Sequence, residues 1–511
     1  MAITDAAVAE FLRCSMGLSA WKRHGTSRWA LRVNPSSGNL HPTEAYIVRE
    51  GSVSHYAPDA HALELRTRMP MDAWRAFTQD RAGFLVALTS VYWREAWKYG
   101  ERAFRYCQHD VGHAIGALRL AAAMLGWRLA LLPQFSDDDI AALCGVDRDD
   151  DYGEAEREDA GCIAIVTPGA PDGWRAASPR ALVEAARSAP WSGRANRLSP
   201  SRIEWPAIDA VARATRYSGP ENGARAGTAH VEPGTRSAGP GGGDSGSRTA
   251  EPGRASVDSR ASTTDSGPER QETESGLRNA SDPRRDEPRA RAIVLQRRSA
   301  LGFDARSSLP RDVFLAMLTR LRPPRPPWDA IDWPPHIHLL LFVHRVDGMV
   351  PGLYAWLRDP AAVDEWRAAM RAEFMWEPVA AGAAPPDLFL LVPTDVTWIA
   401  NRLSCDQDIA ADGFFSAAMI ARFEPALRSR GEWFYRRLFW EAGMVGQVLY
   451  LEAEAAGARS TGIGCFYDDP VHEMAGLAGH AWQSLYHFSM GVPVDDGRLT
   501  TEPGYAGEGE T

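Results

Sequence analysis

Gly112-His113-Ala114-Ile115-Gly116-Ala117-Leu118-Arg119-Leu120-Ala121-Ala122-Ala123-Met124-Leu125-Gly126-Trp127-Arg128 has a counterpart later in the same chain, Gly443-Met444-Val445-Gly446-Gln447-Val448-Leu449-Tyr450-Leu451-Glu452-Ala453-Glu454-Ala455-Ala456-Gly457-Ala458-Arg459. A shift of 331 positions, the distance from Gly112 to Gly443, also lays Phe135, Asp137 and Asp138 onto Phe466, Asp468 and Asp469 without a gap. This repeat predicts a tandem of related domains. Features kept by both copies then read as architecture, and features kept by one copy become candidates for function.

The shared features are structural in kind. Asp137-Asp138 and Asp468-Asp469 follow a Phe and open helix-like stretches, so they read as N-caps and first-turn acids favoured by the helix dipole. Gly112 and Gly443 suit close helix packing, and Gly126 and Gly457 suit left-handed helix ends. The one-sided features differ. The first copy alone has Asn34-Pro35-Ser36-Ser37-Gly38-Asn39-Leu40-His41-Pro42, in which two prolines fix φ and four residues crowd polar side chains into one turn. The second copy alone has Arg297-Arg298-Ser299, two forked donors and a hydroxyl suited to a terminal phosphate. It alone also has Gly462-Ile463-Gly464, where the first copy has Leu131-Leu132-Pro133. A solvated arginine pair and a glycine turn before a helix are the ordinary alternatives for these last two. Each half lacks the other's pieces, so one complete site is expected between the halves.

At 511 residues, with a hydrophobic fraction of 45%, the chain exceeds a single core and divides naturally into two packed domains. A net charge of −10 leaves no basic footprint for nucleic acid. Six scattered cysteines without a C-x-x-C pair fit reduced cytoplasmic thiols better than a secreted scaffold. The most apolar window, 112–132, is broken by Arg119 and Arg128, so it reads as a buried helix and no membrane span is expected. Residues 218–288 are rich in Gly, Pro, Ser and charge, which predicts a disordered linker between domain 1 (1–217) and domain 2 (289–511).

Periodicity predicts strands at 44–48, 84–88, 162–166, 338–344 and 388–392, and helices at 110–125, 412–423 and 434–456. The fold class that follows is α+β in each half. His109 and His113 stand four apart on a predicted helix, but no third ligand accompanies them, and they read as core or cofactor-side histidines with no metal. Cys405-Asp406-Gln407-Asp408 and Gln447 are polar groups in apolar surroundings that suit either a pocket lining or helix ends.

Asn34 to Pro42, continued by Thr43-Glu44-Ala45-Tyr46, resembles the flavin-contacting turn of the nitroreductase superfamily, in particular its SagB-type (thiazole/oxazole-forming) dehydrogenase branch. Arg297-Arg298-Ser299 is similar to that superfamily's FMN-phosphate segment. Gly462-Ile463-Gly464-Cys465-Phe466 is similar to the loop whose amides approach the flavin near N5, and Trp97-Lys98-Tyr99-Gly100-Glu101-Arg102 resembles the branch's Lys-Tyr-Gly segment. The resemblance covers both halves except the linker. It implies two tandem nitroreductase-like domains forming an intramolecular pseudo-dimer, monomeric as a chain, with FMN between them. Pro35, Ser36, Ser37 and Asn39 would contact FMN from one half, and Arg297, Arg298, Ser299, Gly462, Ile463 and Gly464 from the other. Lys98 and Tyr99 would be catalytic, removing a substrate proton as FMN takes hydride. No Arg-Arg-Ser segment precedes Pro35, a departure from the pattern.

The activity the resemblance implies is FMN-dependent dehydrogenation of a heterocycle, or reduction of a small electrophile, in the cytoplasm. The partner is a small-molecule or modified-peptide substrate. An NAD(P)H-dependent nitro- or quinone reductase, and a flavin-binding accessory protein without turnover, are the alternatives. Lys98 and Tyr99 align with Ser429 and Arg430, so this pair is one-sided too. A helix-start lysine with a packed tyrosine is its ordinary reading.

Overall fold

The computed structural model describes residues 1–220, 288–379 and 387–506. Nearly all of the predicted linker, 221–287, therefore lies outside the described residues. Among the described residues no helix is long and apolar enough to cross a membrane.

Strands β1 (Leu18–His24) and β2 (Ser27–Arg32) form an antiparallel hairpin ahead of the first main sheet. That sheet holds β3 (Thr43–Arg49), β4 (Ser52–Ala57), β5 (Ala62–Arg68), β6 (Phe84–Ser90), β7 (Arg128–Leu131) and β8 (Asp159–Thr167) in the order β5-β4-β3-β6-β8-β7. The second sheet holds β9 (Ile337–Val343), β10 (Gly352–Trp356), β11 (Glu377–Pro378), β12 (Leu388–Pro393), β13 (Phe415–Arg422), β14 (Arg459–Ile463) and β15 (Trp482–Gly491). Its order is β11-β12-β10-β9-β13-β15-β14, and the pairings in both sheets are antiparallel. The central strands read as unbroken apolar runs because both of their faces are covered; β6 and β9 are buried at every position.

Two helices of 22 residues, Ala103–Met124 and Phe434–Ala455, carry the repeat and pack on one another. Gly112 and Gly443 mark their crossing. A Cβ on Gly112 would overlap the carbonyl oxygen of Trp440, and a Cβ on Gly443 would overlap that of His109. The two contacts are images of each other under the repeat, as an isologous interface requires. Around the crossing a single apolar core runs from Phe11, Val86 and Ile115 of the first half to Phe314, Leu341 and Leu449 of the second. The halves are thus joined by shared core rather than by surface contact. Gly126 and Gly457 lie just past the ends of these helices with φ of 70° and 79°, as left-handed termini need.

Two expectations are corrected. Most of residues 412–423, expected to be helical, is β13: Phe415–Arg422, Phe-Ser-Ala-Ala-Met-Ile-Ala-Arg, is a strand between β9 and β15, buried at all but its last position. A short apolar run of this kind has no period that separates strand from helix, and its small side chains suit a strand covered on both faces. The paired aspartates do lie in first turns, but they do not cap. Ser136 caps the helix Asp137–Cys144 in a capping box with Asp139, and the helix Asp468–Ala475 has no side-chain cap. Asp137 instead binds Arg436 at 2.6 Å and Asp468 binds Arg105 at 3.2 Å. Arg105 and Arg436 are themselves 331 positions apart, so the acids kept by both copies are a symmetric pair of clasps across the halves.

The chain also crosses over at its end. β16 (Thr500–Pro503) pairs antiparallel with β1, completing a three-stranded sheet β16-β1-β2. Beyond it, the Tyr505 hydroxyl accepts from the Leu18 amide at 2.9 Å and donates to the Pro58 carbonyl at 2.6 Å.

At the crossing, the atoms a new Cβ would meet are backbone, which cannot rotate aside. Gly443→Ala should therefore destabilise the chain by at least about 3 kcal/mol, at or above the upper end of ordinary overpacking. Thermal melting checks this, and an unchanged midpoint would refute the helix contact.

Candidate functional site

The turn 34–42 is built from short hydrogen bonds that leave little freedom. Ser37–Asn39 is a single 3-10 turn, and Gly38 and Asn39 within it and His41 just past it take positive φ, at 56°, 60° and 52°. The Ser36 hydroxyl accepts from the His41 amide at 2.8 Å, and Asn39 Nδ2 donates to the Ala30 carbonyl at 2.8 Å. A Cβ on Gly38 would overlap the Tyr99 hydroxyl and lie 3.0 Å from Lys98 Nζ. The turn, Lys98 and Tyr99 are thus in direct contact, although nothing in their sequence separation implies it. Lys98 is exposed, with Nζ 5.0 Å from the centroid of the Tyr99 ring. Burial, reinforced by nearby Glu95, pushes the Tyr99 phenol up to about 12, so it is a hydrogen-bond donor at neutral pH.

Arg297-Arg298-Ser299 reaches this turn from the other half. Arg297 Nε donates to the Val33 carbonyl and Nη2 to the Arg32 carbonyl, each at 3.2 Å, immediately before Asn34. Arg298 Nη2 donates to the Ser19 carbonyl at 3.0 Å. Arg297 Nη1 is buried with no hydrogen-bond partner, a donor left over for a ligand. Burial lowers both guanidinium pKa values, that of Arg298 to about 10 with Arg297 adding to the effect. Lys22 is likewise depressed by burial and then by Arg298 and Arg459. This convergence of cations is a local field that favours an anion.

Gly462-Ile463-Gly464 differs from its expected form. Gly462 and Ile463 are the last residues of β14 rather than a free loop, and the Gly462 amide already donates to the Tyr450 hydroxyl at 3.0 Å. The same hydroxyl pairs with Ser299 Oγ at 2.9 Å. Neither glycine needs positive φ. Each is small because an aromatic ring stands where its Cβ would be, the Tyr486 ring at Gly462 and the Tyr106 ring at Gly464. Arg102 of the first half donates to the Gly464 carbonyl at 3.3 Å.

These pieces line one cavity of about 800 Å³ between the halves. Pro35, Ser36, Ser37 and Asn39 line it from one side, and Arg297, Arg298, Ser299, Gly462, Ile463 and Gly464 from the other. Tyr99 borders it directly; Lys98 stands beside it, at Gly38. Its position under the repeat is closed. Where Leu131-Leu132-Pro133, Arg437 and Trp440 replace Gly462-Ile463-Gly464, Tyr106 and His109, a space of about 20 Å³ remains, room for about one water. Arg437 fills it, 4.3 Å from the Trp433 ring and 5.0 Å from that of Tyr217.

Several lining residues escaped the sequence reading. Asp110 is buried beneath the turn and accepts from the Ser37 amide at 3.1 Å and the Ser37 hydroxyl at 3.2 Å. Burial pushes its carboxyl up to about 7, and pushes buried Glu95, with Asp110 nearby, up to about 10. The repeat held the clue: Asp110 aligns with Glu441, a second acid on the same helix face. Tyr106, Tyr450 and Tyr486 were missed because aromatic residues on buried elements look like core. His109 stacks on Tyr486 at 4.2 Å, and His113 Nε2 lies 3.2 Å from the Tyr486 hydroxyl, so both histidines support the wall as read. Gln407 lines the cavity, and Gln447 is buried against Gly116.

The sequence profile of the nitroreductase family matches residues 2–153 and 294–492. A Methanocaldococcus jannaschii protein named as a nitroreductase is 27% identical over 128 residues, which span 22% of this chain and 64% of that relative's length. A crystal structure from Anabaena variabilis, also named as a nitroreductase, covers 96% of this chain and 88% of its own with a TM-score of 0.65 at 19% identity. That likeness runs through both halves and concerns the fold.

Asp110 has a consequence for pH. Burial pushes the Asp110 carboxyl up to about 7 and that of its neighbour Glu95 up to about 10, so the pair keeps its protons above the pH near 3.8 at which an unfolded aspartate releases its own. The folded state therefore binds more protons in that window, and stability falls as the pH rises through it. Asp110→Asn cannot titrate and should lessen the decline between about pH 4 and about pH 7, leaving the part that Glu95 contributes. Melting temperatures across that range test it; equal slopes for parent and variant would mean an ionised Asp110.

Proposed function

The chain belongs to the nitroreductase family, and from that premise we propose that it is an FMN-dependent oxidoreductase, a SagB-type dehydrogenase acting on a heterocycle in a small molecule or modified peptide. The observation that carries the reading is the open cavity between the halves, beside a closed counterpart. Its donors fit FMN: the unpartnered Arg297 Nη1 and the cluster of Lys22, Arg298 and Arg459 suit a phosphate, and the backbone at Gly462 and Gly464, which lines the cavity, would lie along the ring. Pro35, Ser36, Ser37 and Asn39 would complete the cofactor's contacts from the first half, with Ser299 and Ile463 from the second.

When bound, FMN would supply hydride transfer at N5, and the protein positions it. Lys98, beside Gly38, would act as its neutral amine and take the proton that leaves the substrate, becoming the ammonium. Tyr99, kept protonated by burial, donates a hydrogen bond at the same place. The domains on this reading are 1–217 and 289–511, joined by 218–288, and one chain forms the pseudo-dimer that makes one site. The site would work in the cytoplasm.

Release of the cofactor by denaturation should give one FMN per chain; two per chain, or none after reconstitution, overturns the composite site. Arg297→Gln should weaken FMN binding by roughly 10- to 100-fold, the equivalent of a charge-assisted hydrogen bond of about 1.5–3 kcal/mol. Lys98→Ala should keep its FMN yet lose substrate-dependent bleaching by about 10²-fold or more in anaerobic single turnover with a peptide azoline. Equal bleaching rates would remove Lys98 from the chemistry, and turnover confined to nitroaromatics with NAD(P)H would make the protein a reductase instead.

The domain limits have their own test. Residues 1–217 and 289–511 expressed as separate chains should yield a coloured complex when made together, because their core is shared. Two soluble, colourless fragments that do not associate would contradict it.

A further inference from the structure

Two cysteines with no part in that chemistry stand together at the cavity. Cys465 follows Gly464 and lines the cavity, and its thiol donates toward Cys405 Sγ at 2.6 Å. Cys14, Cys107, Cys144 and Cys162 are buried, whereas Cys405 is partly exposed and Cys465 exposed. Solvent therefore reaches this pair and not the others.

The backbone holds Cys405 in place at a cost. Cys405 and Asp406 have φ of 57° and 56°, the left-handed region that residues with a Cβ avoid. Gln407 Nε2 fixes the turn by donating to the Ser404 carbonyl at 2.6 Å and to the Cys465 carbonyl at 3.2 Å. The Tyr467 amide adds a bond to the Leu403 carbonyl at 3.0 Å. Both flanks of the pair are thus stitched to each other, and the strained turn has the effect of presenting one sulfur to the other.

We propose that Cys405 and Cys465 are a dithiol–disulfide site whose oxidant is a low-molecular-weight disulfide of the glutathione class. The exposed Cys465, as thiolate, attacks one sulfur of the small disulfide and displaces one small thiol, leaving a mixed disulfide. Cys405 gives its proton to solvent and attacks Cys465 Sγ, and the second small thiol leaves with a proton. Two protein thiols are oxidised to one disulfide while one small disulfide is reduced to two thiols, so electrons and protons balance. The new bond ties the turn at Cys405 to the segment after β14, fixing Gln407 and Gly464, two walls of the cavity, to one another. In a reducing pool the dithiol form prevails, and the bond forms when that pool is oxidised.

The test uses the full chain, equilibrated with graded ratios of oxidised to reduced glutathione, quenched with acid and read by intact mass and peptide mapping. The expected result is loss of two hydrogens and one cross-linked peptide pair containing Cys405 and Cys465. Cys405→Ser should stop at the mixed disulfide, with one glutathione on Cys465. Free thiols at both positions across the whole range, or a parent protein that accumulates glutathione on Cys465 without resolving it, would overturn the proposal. Should the variant fail to fold, mapping of the parent decides alone. The readout is thiol mass, which needs neither FMN nor turnover, so this inference and the proposed function fail separately.

Discussion

Backbone meets backbone where the helices Ala103–Met124 and Phe434–Ala455 cross, and the rest of the molecule depends on that contact. With Gly112 against Trp440 and Gly443 against His109, the axes come closer than side chains would allow. From there the local symmetry propagates. Arg105 and Arg436 find Asp468 and Asp137 across the interface. The Trp440 indole donates to the Gln108 side-chain Oε1 at 2.8 Å. One core then forms in place of two. A wider crossing would separate all of these at once, because side-chain partners at 2.6–3.2 Å have no slack to follow a displaced helix.

Symmetry of this kind offers two equivalent cavities, and the sequence differences decide which survives. Asp110 and Glu441 occupy equivalent places beneath them. Glu441 accepts from the His336 and Ile337 amides at 3.0 and 3.1 Å and from the Trp333 indole, and it pairs with buried Arg358. Its charge is fully answered, and the site above it is packed with Arg437 and its aromatic neighbours. Asp110 accepts from Ser37, and among the described residues no arginine pairs with it, so burial raises its pKa and favours the neutral acid. The open cavity is therefore the one whose underlying carboxylate was left without a counter-charge.

Much of this was legible in the sequence, for a physical reason. Comparing copies separates residues both need in order to fold from those only one retains, and the one-sided pieces at 35–39, 297–299 and 462–464 do meet. What escaped was whatever local pattern does not encode. β13 has an apolar run without period, and its identity is set by β9 and β15 on either side. Asp137 and Asp468 carry the signature of caps, but an arginine 299 residues away in one case and 363 in the other claims their side chains. The pairing of β16 with β1 joins opposite ends of the chain, a contact that no window of sequence contains.

The walls of the open cavity are themselves cross-half contacts. Arg297 and Arg298 hold the carbonyls of Arg32, Val33 and Ser19, Arg102 holds that of Gly464, and Lys22 on β1 donates to Thr501 on β16 at 2.7 Å. Forming the cavity and closing the interface are consequently one event rather than two. Closing it buries Lys22 and brings it near Arg298 and Arg459; burial first and then their charges depress its pKa and oppose closure, an effect that Asp495, paired with Arg459 at 2.8 Å, offsets in part. An anion seated among them would reverse that sign, turning mutual repulsion into shared attraction. A ligand that binds only the closed form stabilises it in proportion to the logarithm of its concentration over its dissociation constant. The cationic cluster thereby links occupancy of the site to the stability of the whole two-half core.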